Sequence, residues 1–120
     1  MATDKVILRD TKKAGEDLST KEYTLVKITT SNTIVSAASG DRAFVLEDTP
    51  KEGEYGTIAL QGIVKVKLGG TVKIGELVVP NNAGVGVAAS GKNQTVIGEA
   101  LAEGESGQII PVLTPTGATA

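Results

Sequence analysis

The chain has no cysteine, no histidine and no tryptophan. Without cysteine there is no disulfide, no thiolate nucleophile and no cysteine-ligated metal. Without histidine the commonest general base and metal ligand is missing too. Aromatic rings are confined to Tyr23, Phe44 and Tyr55, few for stacking nucleic-acid bases. The formal charge of −2 leaves no electrostatic footprint for a polyanion, so no nucleic-acid partner is expected. No apolar run approaches the ~18 residues of a membrane span, and residues 1–5 carry no apolar signal segment. The expectation is a soluble protein made in a cytoplasm, with no membrane partner.

What is present is the material of strands and turns. In 120 residues, 15 are glycine and 40% are apolar, with valine, isoleucine and threonine prominent. The fold class this predicts is all-β, in one domain with a thin core. The longest regular stretch, Gly56 to Gly70, places Ile58, Leu60, Val64, Val66 and Leu68 on one parity. Ala59, Gln61, Ile63, Lys65 and Lys67 take the other, so one face is apolar and one wetter. Gly62 interrupts the apolar parity and predicts a bulge or a close backbone approach. Gly69-Gly70 predicts a hairpin, with Thr71–Ile74 returning.

Along the chain, residues 1–22 are mostly polar and read as an N-terminal arm, with ordered structure beginning near Tyr23 and a β domain over 23–113. Residues 114–120 read as a tail. Within the arm, Val6-Ile7-Leu8 is the apolar cluster: part of a solvated terminus, or a segment that orders on a partner. A short helix over Lys12–Leu18 is weakened by Gly15. Pro111 marks Ile109–Leu113 as an edge or terminal strand.

Shifted by 51 residues, the chain aligns with itself: 10 of the 22 positions from Ala37 to Ile58 are identical. The spaced block Glu52-Gly53-Glu54-x-Gly56-x-Ile58 falls on Glu103-Gly104-Glu105-x-Gly107-x-Ile109. Two copies are too few for a solenoid and suggest a pseudo-symmetric β unit. Glu52, Glu54, Glu103 and Glu105 invite a calcium reading, but their spacing matches no EF-hand loop, and solvated turns are expected.

Gly86–Lys92 fits G-x-x-x-x-G-K, yet Asn93 replaces the magnesium-binding hydroxyl and strand-like sequence follows where a helix should start. Gly84–Ala89 mimics a dinucleotide fingerprint and lacks its strand and helix. Asn93-Gln94-Thr95 is a glycosylation sequon without a secretion signal. Lys65, Lys67 and Lys73 read as a solvated strand face, with an acidic partner as the alternative. No nucleophile is grouped with a base, so no enzyme, catalytic residue, cofactor or metal is expected.

The two E-G-E-x-G-x-I turns, Val72–Val79 (VKIGELVV), Val96–Leu101 (VIGEAL) and Ile109–Leu113 (IIPVL) together resemble the capsid decoration (cement) proteins of tailed bacteriophages, of the lambda-type head decoration protein kind. The resemblance covers roughly Asp17 to Leu113. It implies a compact β-clip or β-tulip barrel assembling as a homotrimer on the outer surface of the expanded capsid in the virion. There the protein would bridge subunits of the major capsid protein. It also implies an arm that docks on the shell by strand addition, a role falling on Val6, Ile7, Leu8 and Arg9. The alternative is another phage structural module, a tail or fibre component; a small β-barrel ligand or nucleotide binder is third.

Overall fold

The computed structural model describes residues 5–91 and 94–114. They form nine strands: β1 (Lys5–Ala14), β2 (Leu25–Ile28), β3 (Thr33–Ser36), β4 (Phe44–Leu46), β5 (Tyr55–Lys67), β6 (Leu77–Pro80), β7 (Gly86–Ala88), β8 (Gly98–Ala100) and β9 (Ile109–Leu113). There is no helix among the described residues, so the all-β expectation holds; in place of the short helix over 12–18, β1 runs to Ala14 and an irregular segment follows to Leu18.

The alternating stretch becomes β5, which serves two rings of strands. Its first half pairs with β1 on one side and β4 on the other. β4 continues to β2, β2 to β3, and β3 returns to β1 through a short parallel pairing. Five strands thereby close on themselves, and closure removes the raw sheet edge that invites aggregation. The second half of β5 pairs with β9, followed by β8, β6 and β7. Gly86 of β7 comes back to Leu68, just past β5, through a parallel bridge.

The second ring repeats the strand pairings of the first. Val26 opposite Ser36 corresponds to Val78 opposite Ala88, an offset of 52 residues. Val45 opposite Ala59 corresponds to Glu99 opposite Leu113, an offset of 54. Lys13 opposite Tyr55 corresponds to Lys67 opposite Ile109, again 54. Loop bonds follow suit: Leu18 N–H to Pro50 O, at 2.9 Å, matches Val72 N–H to Gly104 O at 2.9 Å. Unit one is therefore β1 to the first half of β5, and unit two is the second half of β5 to β9. The self-alignment at 51 residues is not the one these pairings follow.

Gly62 is where the two units meet along β5. Its φ is +120°, a conformation only glycine adopts freely. A Cβ there would stand 2.4 Å from the Lys5 carbonyl and 2.8 Å from the Ile7 amide. The predicted close approach is thus to β1, whose register shifts on either side of Leu8. Past this point the apolar parity changes core. Ile58 and Leu60 pack with Ala14, Leu18, Val26, Ile34 and Leu46 inside unit one. Val64, Val66 and Leu68 pack with Val72, Val78, Ala100 and Val112 inside unit two, and the same cluster takes in Leu25, Val45 and Ala59 from unit one. Each fully buried leucine or valine contributes about 1.5–3 kcal/mol, and no buried side-chain polar atom among the described residues lacks a partner.

Three further expectations change. Regular structure begins at Lys5 and not near Tyr23, because β1 is the closing strand of unit one and carries its chain to buried Ala14 and Leu18. Gly69-Gly70 makes no hairpin: the end of β5 pairs with β9, the Lys67 amide donates to Tyr23 O at 2.8 Å, and the Gly69 amide donates to Gly86 O at 2.8 Å. Pro111 lies in β9, between β5 and β8. Its missing donor is tolerated because Pro111 stands opposite Leu101, the residue just past the end of β8, from which its carbonyl accepts a bond at 3.0 Å.

Candidate functional site

The four residues singled out for partner binding lie together at the start of β1. Val6 is half-buried against the unit-two core. Ile7 and Leu8, 78% and 50% exposed, stand clear of it. Arg9 reaches sideways, its Nε 2.6 Å from Glu47 Oε1 and its Nη2 3.4 Å from Oε2. This pair ties β1 to the chain just past β4, and at the surface such a bridge is worth about 0–1 kcal/mol. In this structure the segment is itself an added strand, laid along β5 of its own chain.

The acidic turns have a structural use. In Lys51–Glu54 the Glu54 side chain accepts from the Lys51 amide at 2.8 Å, while the Glu54 amide donates to Lys51 O at 2.9 Å. The same reciprocal closure, with a positive-φ glycine third, recurs in Ala38–Asp41, Lys73–Glu76 and Glu105–Gln108. Among the described residues no three acidic groups converge to hold a metal ion. A related local closure at Asp17 lowers its carboxyl below the ordinary aspartate value, chiefly through hydrogen bonds from the Ser19 side chain and amide, the latter at 3.0 Å.

The apparent phosphate loop is spent on packing. Gly86 is in β7, and a Cβ there would lie 2.8 Å from Val66 and 2.9 Å from Val78. Lys92 and Asn93 lie outside the described residues. A shallow polar cleft does exist elsewhere, lined by Thr11, Lys12, Lys13, Ser31, Asn32, Thr33 and Tyr55, with a volume of about 300 Å³. Its lysines are engaged: Lys12 donates to Asn32 Oδ1 at 2.7 Å, and the Lys13 ammonium lies 5.9 Å from the Tyr55 ring centre.

Of the three candidate lysines, Lys65 and Lys67 lie half-buried on the outer side of β5, and Lys73 is exposed in its turn. The Lys65 ammonium sits 5.4 Å from the Tyr23 ring centre. Beside Lys65 and Lys67 runs something the linear sequence hides. Lys5, Ile63, Leu113, Glu99 and Leu77 are successive cross-strand neighbours on β1, β5, β9, β8 and β6. Residues directly opposite in a ladder share a face, and the alternate residues Val64, Val112 and Ala100 point into the core, so this row faces outward. Leu113 is 45% and Leu77 39% exposed. Only the pairing register could have shown that these five residues, from five strands, form one line.

The fold is shared with a solved phage structure. The N base of the head fiber gp8.5 of bacteriophage phi29 is similar with a TM-score of 0.76, covering 94% of this chain and 98% of that one at 18% sequence identity. At that identity the likeness establishes the fold. No protein-family model matches the chain, and no curated protein matches it in sequence.

Proposed function

We propose that the chain is a structural protein of a tailed-phage head, acting as a decoration (cement) protein on the outer surface of the expanded capsid and bridging subunits of the major capsid protein. The observation that carries this reading is the fold shared end to end with a phage head fiber base. A nine-stranded body whose rings leave few open edges resists indiscriminate edge-to-edge association, which suits a protein present in many copies. Many copies on a lattice gain avidity, so a modest interface per copy suffices. Exposed Ile7 and Leu8, with Arg9 beside them, are the shell-facing contacts in this reading.

The same neighbour favours a second reading, a base module of a head fibre. Co-sedimentation with expanded heads assembled from the cognate major capsid protein tests the first. Saturable binding to expanded heads and not to unexpanded shells is expected, and no binding to either overturns it. Cryo-EM of the decorated head separates the readings: density at many lattice positions supports cement, and density only beneath fibres supports the base module.

A further inference from the structure

The outward row Lys5–Ile63–Leu113–Glu99–Leu77 has a counterpart in unit one. Arg9, Ala59, Val45 and Leu25 stand where Ile63, Leu113, Glu99 and Leu77 stand in unit two. There the line is covered: Ala59, Val45 and Leu25 are at most 3% exposed, packed within the cluster that unit two supplies. In unit two, among the described residues, Leu113, Glu99 and Leu77 are exposed and Ile63 is half-buried. The fold thus has a place built to be covered by another copy of the same architecture, filled once and left open once.

The open line also reads as its own complement. From β1 to β8 it runs positive, apolar, apolar, negative. A twofold axis along the strands, between Ile63 and Leu113, would set Ile63 over Leu113 of a second copy and Lys5 over its Glu99. Lys65 would then fall over Pro111, and not over another lysine. Among the described residues neither Lys5 nor Glu99 forms an ion pair within its own chain. We infer that this face is a twofold contact between two copies of the chain, apolar at its centre and closed by two reciprocal Lys5–Glu99 pairs. Interfaces with an apolar centre and a charged rim behave in this way, and the rim charges fix partner and register. The inference is independent of any role on a phage head.

The test is sedimentation equilibrium of the full chain over a wide concentration range, with circular dichroism confirming that each variant folds. The wild type is expected to form a dimer. Leu113→Lys and Glu99→Lys are each expected to weaken it by about tenfold or more, the second because like charges then oppose. Lys5→Glu is expected to do the same. Joining Lys5→Glu and Glu99→Lys in one chain restores dimerisation, since the reversed charges again face each other. A protein monomeric at every concentration overturns the inference. So does an oligomer, trimer included, that ignores these substitutions, or a double variant no tighter than either single one. Loss of head binding by Leu113→Lys in a protein that is monomeric throughout would give the face to the shell and equally overturn it.

Discussion

Thr57 and Pro111 occupy the same place in the two units, and only one of them has an amide to donate. The Thr57 N–H is held by both oxygens of Asp48, at 3.2 and 3.1 Å. Pro111 has no N–H, and Ala102 stands where Asp48 would be, 54 residues on. Donor and acceptor have disappeared together, so neither unit leaves a partner stranded. The carbonyls keep their shared bond: Glu47 donates to Thr57 O at 2.9 Å and Leu101 to Pro111 O at 3.0 Å.

It follows that Asp48→Ala strands the half-buried Thr57 amide. A loss of about 1–3 kcal/mol is expected in urea unfolding, while Ala102→Ser, at the matching place, changes stability by less than about 0.5 kcal/mol.

Removing residues 1–16 is expected to unfold unit one, because β1 closes its ring and Ala14 lies in its core. Circular dichroism should show lost strand signal and a lost cooperative transition. A truncated chain that keeps its transition would show that the segment is an appendage after all.

A subtler probe of the same junction is Gly62→Val. Both the +120° φ and the backbone of β1 at 2.4 Å oppose a side chain, and a cost of about 2–4 kcal/mol is expected. Hydrogen exchange should show the amides of residues 5–9 opening first.

The reciprocal turns predict a graded effect. Glu76→Ala removes the 2.6 Å bond to the Lys73 amide at an exposed site, so the expected loss is about 0.5–1.5 kcal/mol. Glu76→Gln should recover most of it, as Gln108 already fills this role in Glu105–Gln108.

Asp17 sets the sign of a small acid effect. Its carboxyl binds a proton less readily folded than unfolded, so its contribution is present above the ordinary aspartate value and fades as pH falls through the lowered one. Asp17→Ala should flatten that part of the acid limb when urea midpoints are followed downward in pH. An unchanged slope would assign the limb to other carboxylates.

The alternation of β5 was legible because its second half buries one parity cleanly, and so was the special role of Gly62; in its first half Ile58 and Ala59, on opposite parities, are both buried. Its partners were not legible. Gly69-Gly70 has hairpin chemistry, but the strand's neighbours are chosen by core closure between distant residues such as Val66 and Ile110. β1 was read as an arm for a partner and not as part of the β body because nearly all its side chains are exposed, Val6 and Ala14 alone of its apolar residues turning inward. The repeat was visible at the wrong offset for a physical reason. Identity aligns Glu54 with Glu105, whereas the turn needs a glycine followed by a side-chain acceptor, which aligns Glu54 with Gln108. Of the surface residues, Ile7 and Leu8 could be read as exposed apolar positions. Leu77, Glu99 and Leu113 could not be joined without the register.

β5 ends one ring and begins the next without a break in its backbone. The two units therefore have no linker between them and no joint at which to flex. A pull on one is carried to the other along a single extended chain, held by β1 and β4 in its first half and by β9 in its second. Strain placed on either unit is therefore felt first at Gly62, the one residue of β5 with a positive φ.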